Sequence, residues 1–318
     1  MKKILFIIFC ATFLLVSCTS ITEYNSKSIF VFDTVVNMRF YNAENPDKHY
    51  EDIKKMLKEI SAYSSDYESY DDKSVYDLNE KRMIDYNDYL AEMINYAYLA
   101  KEKTKGYFEP LIGNLSRIWK NAIEKKVYPD EDIIKEELAN INSSAIEIKE
   151  NEYIKINGNA NLDLGGFVKG YASYKIKEYL ENNNIKYYLI NLGESNILLS
   201  SKLEESFIVA FRNPLKDEYY AKIKTSNKVI SSSSIEYQKS YIDDKLIHHI
   251  ISPFSGYPVN NYESVNVITD DILYSDVYST AIFLMGLDEA KEFASKNDLS
   301  IILFNEKILY KTEDLIYV

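Results

Sequence analysis

The sequence predicts a mixed α/β chain of the α+β kind, a single domain behind a short targeting segment. Three observations carry that prediction. Apolar residues recur at helical spacing in some stretches and alternate in others. Helices and strands interleave without a strict βαβ order. No repeat, long low-complexity stretch or Pro/Gly-rich linker divides residues 29–318.

In chain order, MKKILFIIFCATFLLVSC opens with a basic pair, Lys2 and Lys3, and an apolar run from Ile4 to Leu15. The run is shorter than the roughly 20 residues a spanning helix needs. Its end, Leu15-Val16-Ser17-Cys18, has the form of a bacterial lipobox, in which cleavage before Cys18 leaves that cysteine to carry lipid, the alternative being an ordinary secretory signal that happens to hold a cysteine. The expected segments are a signal peptide at 1–17, a lipidated tether at 18–28 and a catalytic domain at 29–318. Such a protein is anchored by lipid to the extracytoplasmic side of the cell membrane. The two cysteines are Cys10 and Cys18, so the mature domain has no disulfide and no cysteine metal site. Losing Lys2 and Lys3 takes the net charge from −12 to −14, which argues against binding nucleic acid or anionic lipid surfaces non-specifically.

Beyond the tether, SIFVFDTVVNMRFY reads as strand, rich in β-branched and aromatic residues. Residues 47–63 form a helix with Ile53, Leu57 and Ile60 on one face, and 86–103 a second with Leu90, Met93, Ile94 and Ala97 facing in. AIEIKENEYIKI (145–156) alternates about a polar turn, as a hairpin does. From Gly166 a stripe of Val168, Ala172, Ile176, Tyr179 and Leu180 marks a third helix. YYLINL (187–192), FIVAF (207–211), SVNVI (264–268) and LSIILF (299–304) read as strands.

The glycines point to the chemistry. The chain has 9, where average usage of about 7% would give roughly 22. Three of them, Gly165, Gly166 and Gly170, fall in NLDLGGFVKGY (161–171). They either build a turn or let backbone approach a ligand. Most of the others lie beside Asp, His, Ser or Asn: TKGYFEP, LIGNLSRIWK, INLGESN, HHIISPFSGYPVN. Gly286 reads as a helix C-cap and Ser275 as an N-cap. In SDVYSTAIFLMG, Asp276 and Thr280 share one helix face. They suit a hard cation such as Mg²⁺, or else Asp276 is a capping charge with Thr280 bonded back into the helix. GGFVKG has the spacing of neither a P-loop nor GxGxxG. It still opens a helix whose amides could hold phosphate, with Asp163 before it and Lys169 within it. His248 and His249 are either loop residues or a base.

Seven stretches in order, FDT (32–34), SYDDKSVYDLN (69–79), GYFEPLIGNLSRIW (106–119), DLGGFVKGYA (163–172), INLGESN (190–196), HHIISPFSGYP (248–258) and SDVYSTAIFLMG (275–286), resemble the FAD:protein FMN transferases, the ApbE family. The resemblance covers nearly all of 29–318, and the family often carries a lipobox. It implies an ApbE-like flavin transferase fold and Mg²⁺-dependent transfer of the FMN part of FAD to a threonine of an acceptor flavoprotein, releasing AMP. It further implies Gly166, Asp276 and Thr280 as metal ligands, and an FAD site lined by Phe32, Tyr70, Tyr107, Phe108, Glu109, Asp163, Lys169, His249 and Ile250. The base is Asp276 or His249. The chain departs from the family at Glu109 (usually Asp), Leu111 (often Thr), Glu194, which interrupts a glycine pair, and Ser252, Phe254 and Ser255. An FAD pyrophosphatase and a non-catalytic FAD-binding lipoprotein are the alternative readings.

Overall fold

The computed structural model describes residues 24–200, 206–236 and 238–317. The signal peptide and Cys18 lie outside them. The chain runs β1 (Tyr24–Val31), β2 (Thr34–Tyr41), α1 (Pro46–Ser64), α2 (Val75–Lys81), β3 (Met83–Asp85), α3 (Asp88–Lys103), α4 (Gly113–Lys125), α5 (Glu131–Ser143), β4 (Ala145–Lys149), β5 (Tyr153–Asn157) and α6 (Val168–Asn182). It continues with β6 (Tyr188–Leu192), β7 (Asn196–Leu199), β8 (Phe207–Arg212), β9 (Tyr219–Thr225), β10 (Val229–Ser234), β11 (Lys239–Ile242), β12 (Lys245–His248) and β13 (Ser264–Thr269). Then come α7 (Ser275–Leu284), α8 (Leu287–Lys296), β14 (Ser300–Asn305), β15 (Lys307–Lys311) and β16 (Ile316–Tyr317).

An eight-stranded sheet, ordered β1-β2-β6-β7-β10-β13-β14-β15, forms the centre. Every neighbouring pair in it is antiparallel, which settles the fold as α+β. Strand alternation explains its two faces. Val36, Met38 and Phe40 of β2, Ile190 and Leu192 of β6, and Val265 and Val267 of β13 bury against α1, α6 and α7 in the main core. The opposite parity, including Tyr41, Leu199, Ile230, Ile268 and Ile302, packs on Phe207, Val209 and Ile223 of the small sheet β16-β9-β8. A third cluster joins Leu115 and Trp119 of α4, Ile134 and Ile141 of α5, and Ile247 and Ile251.

The helical stripes hold: Ile53, Leu57, Ile60, Leu90, Met93, Ile94, Ala97, Val168, Ala172, Ile176 and Leu180 are buried, and only Tyr179 of the third stripe is partly exposed. Three expectations change. Residues 24–28, expected to belong to a tether, pair with β2 instead, Tyr24 opposite Tyr41 and Ser28 opposite Asn37. Gly286 is the N-cap of α8 and not the C-cap of α7, since α7 ends in an extended residue, Met285, and the Gly286 carbonyl accepts from the Ala290 N–H. Ser275 is a helical residue whose hydroxyl donates to the Ile272 carbonyl, leaving Tyr274 at the N-cap.

Candidate functional site

Asp276 starts the first turn of α7 and is 6% exposed. Its Oδ2 accepts from the Gly170 N–H in the first turn of α6, at 2.8 Å. Its Oδ1 accepts from Asn196 Nδ2 of β7 at 3.0 Å and from Ser231 Oγ of β10 at 2.5 Å. A carboxylate of α7 thus receives an amide from the first turn of α6, an anion at a positive helix end. The approach depends on Gly170, where a Cβ would lie 2.8 Å from the Leu273 carbonyl oxygen. So one of the three clustered glycines serves helix packing rather than ligand access.

Thr280 lies one turn further along α7. Its hydroxyl is 3.3 Å from Ser233 Oγ of β10, and a Cβ on Gly166 would sit 3.8 Å from Thr280 Oγ1 and 3.5 Å from the Phe108 ring. Gly165 and Gly166 are exposed, and Phe108 is buried. The structure therefore brings Gly166, Thr280 and Phe108 together, with Asp276 one turn behind Thr280 on the same helix. Among the described residues no group of three or more His, Cys, Asp and Glu side chains gathers. A cation here would rest on one carboxylate with neutral hydroxyl and carbonyl oxygens. That all-oxygen donor set fits Mg²⁺, which keeps several waters, and does not fit a thiolate or imidazole metal.

Around this floor the other predicted residues take up positions by local contacts. Asp163 accepts the Gly165 N–H at 2.7 Å and donates its own N–H to the Pro110 carbonyl. Lys169 Nζ donates to Ser195 Oγ at 2.5 Å, joining α6 to the β6–β7 turn. Glu109 is buried with both oxygens engaged, Oε2 with Lys101 at 2.6 Å and Oε1 with the Leu111 N–H at 3.0 Å. That places Glu109 as a brace of the 107–111 loop. Tyr107 donates to Glu289 at 2.6 Å and packs edge-on against Phe254, ring centroids 4.9 Å apart. Phe32 and Asp33 form the two-residue turn of the β1–β2 hairpin, both at φ 55. Such a turn demands positive φ at both positions, and a phenylalanine there is strained. The Tyr67 hydroxyl reaches the Asp33 carboxylate at 3.2 Å and so ties the tip to the loop carrying Tyr70, itself packed on Tyr63.

The two adjacent histidines divide. His248 ends β12, fully buried. Its Nδ1 accepts from the Ile250 N–H at 3.2 Å, so Nε2 carries the proton and donates to the Val259 carbonyl at 3.2 Å. Burial, with His249 beside it, pushes its pKa down to about 4. It is a neutral structural residue. His249 is exposed at the surface, yet the atoms packed around it lower its pKa, and the Lys169 ammonium adds to this. The Gln238 carbonyl and the Asp163 carboxylate oppose the shift, the former facing Nδ1 at 3.4 Å. His249, Lys169 and Asp163 thus share one electrostatic neighbourhood. Ile250 beside them is buried.

Sequence reasoning passed over several residues that build this site. Asp77 accepts from Ser69, Ser74 and the Tyr70 N–H. Burial alone would raise its pKa, but these donors outweigh it and hold the group at about 2. Asn79 clamps Leu162 reciprocally, donating to its carbonyl at 2.9 Å and accepting its N–H at 2.8 Å. Arg82 holds the carbonyls of Asn79, Gly158 and Ala160 and the Asn161 side chain. Asn79 and Arg82 thereby fix the run from Gly158 to Leu162 that leads to Asp163. Their signal was present in SYDDKSVYDLN, which carries Asp77 and Asn79. A groove of about 430 Å³ formed by Met56, Glu92, Lys175 and Tyr179 with their neighbours contains none of the predicted residues.

Fold and site together describe an α+β protein with an oxygen-donor centre where two helix N-termini meet over an antiparallel sheet. The same fold is seen in the ApbE protein of Thermotoga maritima, with TM-score 0.80 and 23% identity over 92% of this chain and 97% of that one. It recurs in the flavin transferase ApbE of Vibrio cholerae, with TM-score 0.73 and 19% identity over 92% and 95%. The ApbE family model matches residues 32–303, and the chain belongs to that family. The FAD:protein FMN transferase of Buchnera aphidicola (from Schizaphis graminum) is 29% identical over 225 residues, 68% of this chain. That match spans 66% of the Buchnera protein, just under two thirds of its length. The FAD:protein FMN transferase of Haemophilus influenzae is 23% identical over 308 residues, 91% of this chain and 88% of that protein.

Proposed function

We propose that this protein is an FAD:protein FMN transferase, which moves the FMN part of FAD to a threonine hydroxyl of an acceptor flavoprotein and releases AMP. Family membership and the names of its relatives support the reading. The observation that carries it is the meeting of α6 and α7, where Asp276 is held against the α6 N-terminus beside Thr280 and Gly166. Gly166, Asp276 and Thr280 would hold Mg²⁺, whose chemistry is to neutralise pyrophosphate charge and that on departing AMP. Lys169 and the amides that open α6 orient the phosphates. Phe32, Tyr70, Tyr107, Phe108 and Ile250 enclose the flavin and adenine, with Asp163 at the phosphate turn.

In the reaction the threonine oxygen bonds to the phosphorus of the FMN half. The bond from that phosphorus to the bridging oxygen breaks, and AMP leaves with its electron pair. His249, kept neutral near pH 7 and with Nδ1 turned to the Gln238 carbonyl, takes the hydroxyl proton at Nε2. The test is to incubate the protein with FAD, Mg²⁺ and an acceptor flavoprotein. An acceptor gaining the mass of FMN, with AMP released, is expected. FMN appearing with the acceptor unmodified would make it a pyrophosphatase, and unchanged FAD a binding protein.

The reading extends to location: a lipid on Cys18 tethers a domain starting near Tyr24 to the extracytoplasmic face of the cell membrane. Among the described residues no helix is long and apolar enough to cross a membrane. Cys18→Ala should move the protein from the membrane fraction to the soluble one without changing its fold. A variant that stays membrane-bound after a salt wash refutes the anchor.

A further inference from the structure

Beneath Asp276 lies a buried polar hub that no step above uses. Asn196 is 0% exposed and lies where four elements meet. Its Oδ1 accepts from Ser173 Oγ of α6 at 2.7 Å. Its Nδ2 lies 3.0 Å from Asp276 Oδ1, 3.0 Å from Ser231 Oγ and 3.1 Å from Ser275 Oγ. The amide cannot be turned over, because its oxygen would then face a carboxylate. The hydroxyls are also assigned: Ser275 donates to the Ile272 carbonyl, and Ser231 donates to Asp276 Oδ1 at 2.5 Å.

An ionised carboxylate offers about four lone-pair sites. Two donors, Asn196 and Ser231, occupy Oδ1, and one, the Gly170 N–H, occupies Oδ2. One acceptor direction is left, on Oδ2. The donors come from β7, β10 and α6, so three separate elements fix the carboxylate plane.

We propose that Asn196, with Ser231, is a positioning residue: it saturates Oδ1 of Asp276 and thereby aims the one free lone pair of Oδ2 at the bound cation. This rests on the Mg²⁺ reading given under Proposed function. Residues that orient a metal ligand from behind typically change metal affinity by about 10–100-fold when removed. A residue that merely stabilised the core would lower the melting temperature without singling out the metal.

The test measures Mg²⁺ binding to the FAD-loaded protein by calorimetry, and FAD binding in EDTA by flavin fluorescence, for wild type and Asn196→Ala. The expected result is a Mg²⁺ dissociation constant raised roughly tenfold or more with FAD affinity in EDTA unchanged. An unchanged Mg²⁺ constant in folded Asn196→Ala overturns the inference. So does an equal loss of FAD affinity in EDTA, which would mark general disruption. Should Asn196→Ala not fold, Ser231→Ala is judged by the same two constants, with a smaller rise expected. If wild type itself binds no Mg²⁺, the metal reading falls and takes this inference with it. That failure is told apart by the wild-type measurement alone.

Discussion

The floor and the rim of the site are built on opposite principles. On the floor, Asp276 is held by three donors from three elements, and Asn196 and Ser231 beside it are wholly buried. On the rim, Phe32 sits in a strained two-residue turn, Tyr70 is 41% exposed and Phe254 59% exposed. The floor has one arrangement in which its polar groups are satisfied, and a half-satisfied buried network is costly. The rim packs ring on ring, as Tyr107 does on Phe254 and Tyr70 on Tyr63, and such contacts tolerate adjustment. On the proposed reading, the cation would sit where geometry is fixed and the flavin where it is forgiving.

The sharpest way to break this contrast is Asp276→Ala. On the floor a single change should remove several kcal/mol of transition-state stabilisation, roughly a thousandfold or more in FMN transfer. The donors left behind should cost about 1–3 kcal/mol in stability, with circular dichroism still native. Thr280→Ala should do far less, because water replaces a neutral hydroxyl. Full activity in folded Asp276→Ala would end the assignment.

Next in size is His248, buried against Phe283 of α7. Its folded pKa, about 4, lies below the ordinary 6.5, so the unfolded state binds the proton more readily. Its contribution is complete above about pH 6.5 and is lost as pH falls from there toward 4. The full span amounts to about 3 kcal/mol. Denaturant midpoints measured from pH 7 to 4 should fall, and His248→Gln should flatten that part of the slope. A wild-type midpoint that stays level over this range contradicts the buried neutral form.

Two neighbouring glycines then sharpen the boundary. Gly170→Ala puts a methyl 2.8 Å from the Leu273 carbonyl oxygen. It should lower stability by about 1–3 kcal/mol and loosen the Gly170–Asp276 bond. Gly166→Ala meets only ordinary contacts, 3.5 Å from Phe108 and 3.8 Å from Thr280. It should melt like wild type while weakening FAD or Mg²⁺ binding. Equal melting temperatures for the two variants would erase the distinction.

The smallest effect is expected at the hairpin tip. Asn tolerates positive φ, so Phe32→Asn trades relieved strain against lost packing, and stability should move by less than about 1 kcal/mol. FAD affinity should nonetheless fall. An unchanged affinity removes Phe32 from the flavin site.

Much of this was legible in sequence because its code is local. The stripe of Ile53, Leu57 and Ile60 and the alternation through 145–156 each report a period of 3.6 or 2 within one element, and those elements formed where expected. The patches holding Gly166, Asp276 and His249 could be found because unusual residues cluster along the chain. What sequence left open was decided by distance. Asn196 and Asp276 are 80 residues apart, and nothing local marks that asparagine as a partner of that carboxylate. His248 and His249 are equivalent in sequence. His248 closes β12 with its ring in the core, while His249, one residue beyond the strand, is exposed, and only that difference separates a structural histidine from a candidate base. Gly170 reads as one more ligand glycine until α6 is seen pressed on the Leu273 carbonyl. Periodicity fixes which faces are buried, because it acts within a few residues. Which polar groups meet once those faces are buried depends on the order of strands in the sheet, and only the folded chain sets that order.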